Sequence, residues 1–401
     1  MAPSVPLLAR RVAEIAPFRV VEVLERARAL ERMGHDVIHL EVGEPDFDTP
    51  QGILDAGVHA LRAGHTRYTE SLGTPELRAA IAGHYQGMGA AIDPARVVVT
   101  NGASGALTLA AALLLDPGSE LLLPDPGYPC NEVFAHLVAA RPVALETFAA
   151  DGYQPRPEQV RAAWGPNTRA LLLASPSNPT GSVLGIKQLQ ALCECVRELG
   201  GVVVLDEIYQ GLVFGGNAPH WTGLSVADDL IVINSFSKYF CMTGWRLGWL
   251  VLPESMVPAA AALAQNLFIA PSAVAQQAAL AAFAPETMAT CELRREAFAE
   301  RRDVLLRGLR RLGFGIPVVP QGAFYLLADL TPLELPFTGL EFATRMLEEA
   351  HVALTPGVDF GSNQTEYAVR FAYTDSVNRL EQALDRMEAA IARWRQAGAA
   401  T

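Results

Sequence analysis

The sequence holds 31 lysines and arginines, and only Lys187 and Lys238 are lysine. Where a positive charge suffices this chain uses arginine, so a retained lysine points to what arginine cannot do, which is to lose its proton and attack a carbonyl. Lys187 follows Gly185-Ile186 at the start of an expected helix and reads as a solvated surface residue. Lys238 lies in VINSFSKYFCMTGWRLGW, among apolar and small residues where a bare ammonium is costly. It is a candidate nucleophile, with a satisfied structural lysine as the plain alternative. Further polar groups stand just after hydrophobic runs: Asn178 in NPTG, Asp206 and Tyr209 in DEIY, Ser235 and Ser237 beside Lys238, and Arg246 a few residues on. After RVVVT, the small residues Asn101 to Gly105, among them Ala103 and Ser104, open an apolar helix whose N–H groups and dipole can hold a phosphate. The set is a deprotonatable lysine, a carboxylate, an amide, a phenol, two hydroxyls and an arginine beside a helix N-terminus. It matches an aromatic aldehyde carrying a ring nitrogen, a phenolic oxygen and a phosphate.

Other chemistries lose their signatures. Ser235-Phe236-Ser237-Lys238 fits the SxxK of acylating serine enzymes, but neither lysine is followed by the Thr-Gly of the KTG element that reading needs. GxGxxG follows no expected strand, and neither lysine follows a glycine, so a Walker A loop is excluded. No HExxH occurs, and His35 and His39 flank DVI at the entry to a strand, which makes them core or surface histidines. The five cysteines are odd in number and scattered, which argues against a disulfide framework and for a reducing cytoplasm; Cys193 and Cys195, two apart on one helix, read as packing residues. A net charge of −12 leaves no basic footprint for nucleic acid, and the longest apolar stretch, 107–115, is too short to span a membrane.

The elements that must position these residues are legible from periodicity. At 401 residues the chain has room for two to three units of about 100–200 residues, and with 50% apolar and 18% charged residues it should fold. Helices are expected at 19–33, 52–63 and 75–87. Strand and helix then alternate through strands 96–100, 120–124, 142–146, 170–175, 202–207, 230–234 and 247–252. Several are continuous Val/Ile/Leu runs, as in strands covered by helices on both faces. The fold class is therefore α/β, and the polar groups at the carboxyl ends of the strands share one crevice. Beyond 255 come long Ala-rich and Arg/Glu-rich helices, short strands at 323–328, 352–354 and 367–372, and a closing helix with one apolar stripe, Leu380, Leu384, Met387, Ile391 and Trp394. The expected division is a large domain of residues 46–290 and a smaller α+β domain of 1–45 with 291–401.

Taken together, LEVGEPDF (40–47), Tyr68, PGYP (126–129), NPTG, DEIY, SFSK, GWRLG (244–248) and Arg370 resemble, in order and spacing, the class I aminotransferases of fold type I, which use pyridoxal 5′-phosphate (PLP). The resemblance spans nearly the whole chain. It implies a mostly parallel seven-stranded sheet between helices, and a homodimer with shared active sites. By the same resemblance Lys238 forms the Schiff base with PLP and carries the proton between substrate and cofactor. Asp206 pairs with the pyridinium nitrogen, Asn178 and Tyr209 bond the phenolic oxygen, and Tyr128 stacks on the ring. Ser235, Ser237, Arg246 and the backbone of Ala103 and Ser104 hold the phosphate, which Tyr68 reaches from the neighbouring subunit. Arg370 grips the substrate α-carboxylate in a bidentate fork beside Asn178 and the backbone of Gly43, and Phe18 borders the substrate side chain.

Ser104 stands where many aspartate-type members carry a lysine for a distal carboxylate, so strict dicarboxylate specificity loses one support. The expected reaction is transfer of the amino group of an L-amino acid to a 2-oxo acid, 2-oxoglutarate first among them, in a ping-pong cycle. The competing readings are a carbon–sulfur β-lyase on the same fold and a non-enzymatic PLP-binding regulator.

Overall fold

The computed structural model describes residues 8–215 and 221–398. After a short β1 (Ile38–His39), seven strands form the central sheet: β2 (Val97–Thr100), β3 (Glu120–Asp125), β4 (Arg141–Glu146), β5 (Thr168–Ala174), β6 (Val202–Asp206), β7 (Ile231–Ser235) and β8 (Gly248–Val251). Their order is β2-β8-β7-β6-β5-β3-β4. Strand β8 runs antiparallel to both neighbours, and the other pairs are parallel. The continuous apolar runs have the expected cause. Leu171, Leu173, Val203, Leu205 and Val232 enter a core on one face, and Ala170, Leu172, Val204, Ile231 and Ile233 enter a second core on the other. Each of the Val, Leu and Ile side chains, removed from water, contributes about 1.5–3 kcal/mol before entropy is counted.

Helices α1 (Arg19–Arg32), α2 (Gln51–Arg62) and α3 (Pro75–Gly87) precede the sheet, and α4 (Gly102–Leu114), α5 (Cys130–Leu137), α6 (Pro157–Ala163) and α7 (Ile186–Glu198) connect its strands. Then follow α8 (Val257–Leu267), α9 (Ala273–Leu280), α10 (Pro285–Leu312), α11 (Gly339–Ala350) and α12 (Val377–Gly398). The expected boundary at 290/291 falls inside the single continuous helix α10.

Strand β9 (Tyr325–Asp329) begins a second, antiparallel sheet of order β11 (Thr355–Pro356), β12 (Ala368–Ala372), β9. Strand β10 (Val352–Ala353) pairs in parallel with β1, so the N-terminal segment joins this part of the molecule. Strand β1 is only two residues long, and just beyond it the Glu41 carbonyl accepts from the side chains of Thr355 and Arg370. The carboxylate of Asp359 accepts the first N–H groups of α1, from Arg19 and Val20, both at 3.0 Å, and Asp36 binds Arg379 and Arg386 of α12. All five residues of the α12 stripe are buried.

The segment after β1 is fixed to α10. Arg301, almost wholly buried, donates two bonds to Asp46 (2.6 and 2.9 Å), and its guanidinium lies over Phe47 and Phe298. This bidentate clamp determines where Gly43 and Glu44 stand relative to the central sheet.

Candidate active site

The carboxyl ends of β5, β6 and β7 and the turn after β2 surround a cavity of about 280 Å³. Twelve of the fourteen site residues expected from sequence line it: Phe18, Gly43, Ala103, Ser104, Tyr128, Asn178, Asp206, Tyr209, Ser237, Lys238, Arg246 and Arg370. Ser235 sits one hydrogen bond behind, fully buried, its Oγ donating to Ser237 Oγ and shared with the Leu247 carbonyl. Tyr68 lies elsewhere, 82% exposed on the surface.

Lys238 enters the cavity just past β7. Its Nζ donates to the Gly43 carbonyl at 2.6 Å. Burial, reinforced by the guanidinium groups of Arg246 and Arg370 and opposed by Glu44 and Asp206, lowers its pKa to about 8. The neutral amine, the form that attacks an aldehyde, is therefore far more populated near neutrality than in an ordinary lysine. Asp206 ends β6 with one oxygen accepting the Ile208 N–H at 2.9 Å, and burial raises its pKa to about 6 despite that bond and Lys238. A cationic partner in the cavity would reverse that shift and hold the carboxylate ionised.

Arg370, on β12, is 2% exposed. It donates to Asn178 Oδ1 at 3.0 Å, to the Glu41 carbonyl at 2.5 Å and to Thr355 Oγ1 at 3.2 Å. Its guanidinium carbon lies 4.2 Å from the Tyr325 ring centre and 4.7 Å from that of Phe360, and its Nε is buried without a partner. The fork is preoriented and not fully satisfied, as a site for a carboxylate requires. The resemblance placed the Gly43 backbone beside this fork; here the Gly43 carbonyl serves Lys238, and the carbonyl of Glu41 serves Arg370.

Sequence reasoning missed Tyr325, which lines the cavity and whose hydroxyl pairs with that of Tyr209 at 2.9 Å. Both phenols are driven upward in pKa, chiefly by burial, so they remain neutral donors. In AFYLLAD a single tyrosine among apolar strand residues carries no local sign of this role. Thr243, also in the lining, bonds Glu44.

On the phosphate-binding side, Gly102 opens α4 with φ +72°, and a Cβ there would stand 2.6 Å from an Arg246 guanidinium nitrogen. Glycine thus lets the N-terminus of α4 and Arg246 face the same space. Phe18 packs edge-on against Tyr128 at 6.4 Å and 81°, and these two residues, with Ala174 and Asn178, also border an outer compartment of about 600 Å³. The segment 14–19 forms one wall of it, held by a Glu14–His136 pair at 3.0 Å. Among the described residues no cluster of three or more metal-ligating side chains occurs and no helix is long and apolar enough to cross a membrane. The five cysteines are free.

The donor set fits PLP: a lysine of lowered pKa, a buried acid for a ring nitrogen, an amide and a phenol for an oxygen, and hydroxyl, guanidinium and helix N–H groups for a phosphate. A mostly parallel sheet covered on both faces, delivering these groups to its strand ends, defines a fold-type I PLP-dependent transferase. Residues 35–387 match the family model described as Aminotransferase class I and II, and the chain belongs to this family, whose members use PLP. The chain is 38% identical over 389 residues to an aspartate aminotransferase of Geobacillus stearothermophilus, covering 95% of this chain and 98% of that one. It is 35% identical to the (5-formylfuran-3-yl)methyl phosphate transaminase of Methanocaldococcus jannaschii, covering 95% and 99%. Among solved structures, an aminotransferase from Mycobacterium tuberculosis superposes with a TM-score of 0.92 at 34% identity, covering 97% and 100%. The aspartate aminotransferase of Thermus thermophilus with maleate gives 0.89 at 36%, covering 96% and 100%.

Proposed function

We propose that this aminotransferase moves the amino group of an L-amino acid to a 2-oxo acid, with 2-oxoglutarate as the acceptor, in a ping-pong cycle of two half-reactions. The observation that carries the reading is Lys238 and Arg370 in one cavity, a lysine poised to lose its proton opposite a fork poised for a carboxylate. When bound, PLP supplies the electron sink for the pair left at the substrate Cα. Lys238 then takes the proton from Cα and returns it to the cofactor side. Asp206 would pair with the ring nitrogen, Asn178 and Tyr209 would bond the phenolic oxygen, and Tyr128 would cover the ring face. Ser237, Arg246 and the N–H groups of Ala103 and Ser104 hold the phosphate, with Ser235 bracing Ser237. Arg370, with Asn178 at its side, would hold the substrate α-carboxylate and so orient the Cα bonds toward Lys238.

The outer compartment leaves room for a bulky apolar or aromatic donor side chain beside Phe18, and Arg19 on its wall offers a second guanidinium to a dicarboxylate acceptor. The exposure of Tyr68 suits a homodimer in which it reaches the other subunit's phosphate. The test is a half-reaction. Holoenzyme mixed with an L-amino acid and no acceptor should lose its yellow colour once, stoichiometrically, and regain it on adding 2-oxoglutarate. Continued release of ammonia without acceptor would mean elimination instead of transfer.

A further inference from the structure

The Glu41 carbonyl that receives the shortest bond from Arg370 also accepts from Thr355 Oγ1 at 3.2 Å, so two of the three contacts that orient the fork converge near one backbone oxygen. That backbone is held by an unusual side chain. The Glu41 carboxylate is completely buried; Oε1 lies 2.7 Å from His39 Nδ1, and Oε2 has no hydrogen-bond partner. His39 stands two residues earlier, on the same side of the extended chain, and its other nitrogen lies 3.3 Å from Glu31 of α1. A charged line thus runs from the surface, Glu31 to His39 to Glu41, and ends at the carbonyl under Arg370.

Resting on the reading that Arg370 takes the substrate α-carboxylate, we propose that His39 and Glu41 are positioning residues for that fork. The imidazolium fixes the Glu41 side chain, and with it the carbonyl against which Arg370 is aligned. A buried carboxylate stays in one place only while it is compensated, and among the described residues the one opposite charge in hydrogen-bond contact with it is His39. The groups facing His39 are Glu41 of its own segment and Glu31 of α1; β10 brings Val352 and Ala353, which carry no charge. From α12, Arg379 and Arg386 are already bound to Asp36. The hydrogen bond to Glu41 raises the pKa of His39 to about 9, so the line is intact at neutral pH and breaks in alkali.

The test measures carboxylate binding without turnover, by calorimetry of the holoenzyme with 3-phenylpropanoate and with 3-phenylpropanamide as the neutral control. Glu41→Gln and His39→Gln should each weaken binding of the acid about tenfold or more, the loss of one well-placed interaction, and leave the amide unchanged. In turnover, kcat/KM for an L-amino acid should fall about tenfold, while that for the primary amine lacking its carboxyl group should not. Wild-type affinity for the acid should fall between pH 7 and 10, and His39→Gln should lack that fall. Arg370→Lys separates the two levels of reasoning. If it abolishes acid binding while both glutamine variants bind like wild type across the pH range, the positioning role is overturned and the Arg370 reading stands. If Arg370→Lys also binds the acid normally, both are overturned. Equal losses for acid and amide would make the His39–Glu41 pair merely structural and likewise overturn the proposal.

Discussion

Replacing Arg370 by lysine keeps a positive charge and removes a shape. The guanidinium spreads its donors over Asn178, Glu41 and Thr355, and its carbon lies close to the ring centres of both Tyr325 (4.2 Å) and Phe360 (4.7 Å). An ammonium is a compact point charge that cannot reproduce both the contacts with the two rings and the parallel pair of bonds to a carboxylate. Each charge-assisted bond is worth about 1.5–3 kcal/mol net, and the lysine can retain one of the two. A loss of roughly 1.5–3 kcal/mol remains, and at 1.36 kcal/mol per decade this is about tenfold to somewhat over a hundredfold in kcat/KM for L-amino acids. The assay compares each amino acid with the primary amine that lacks its carboxyl group, alongside cofactor colour and Tm. The amine should be affected far less, since it never used the fork. Equal losses for the two would refute the reasoning and assign Arg370 a structural task.

Lys238→Ala should retain the fold and bind PLP noncovalently but show no turnover, checked by cofactor release on dialysis and by initial rates; unchanged turnover would remove the nucleophile. In the apoprotein, the rate of PLP capture should climb as pH passes through about 8, where Lys238 loses its proton, and not near the 10.5 of an ordinary lysine. Asp206→Asn preserves shape and forfeits the charge facing the ring nitrogen, so turnover should fall by roughly 10²-fold or more with the cofactor still bound, as stopped-flow half-reactions can read. Gly102→Ala places a methyl against Arg246 at a φ that disfavours side chains, and equilibrium dialysis should show weaker cofactor retention. Because the pKa of His39 rises on folding, its stabilising contribution is complete below about 6.5 and is lost as pH climbs through about 9, so Tm of His39→Gln should converge on wild type at alkaline pH.

The central sheet was legible because strands covered on both faces must be apolar throughout, and Val202–Leu205 and Ile231–Ile233 are apolar without a break. The residues after them were legible because an open α/β sheet offers its strand ends to ligands. Tyr325 escaped, since its hydroxyl gains meaning only when β9 is brought against Tyr209, 116 positions away. The Arg301–Asp46 clamp joins residues 255 apart and has no local signature. His39 was set aside as a core or surface histidine, although an acidic residue two positions on, on the same face of an extended segment, was the sign of its partner. Element ends differ from the expected ones by one or two residues, as at β6, which stops at Asp206, and β12, which starts at Ala368.

Strand β1 finds its hydrogen-bonding partner in β10, and Asp36 its ion pair in Arg379, 343 residues further along. At roughly 5–20 residues per second, a ribosome needs about 17–70 s between these two positions. During that interval the central sheet, whose strands all lie between residues 97 and 251, can emerge and collapse, while the N–H groups of Ile38 and Leu40 still lack their acceptors, the carbonyls of His351 and Ala353. The Glu41 carbonyl and Arg370, 329 residues apart, therefore meet only when nearly the whole chain has been made, so the grip on a substrate carboxylate is among the last parts of the site to form.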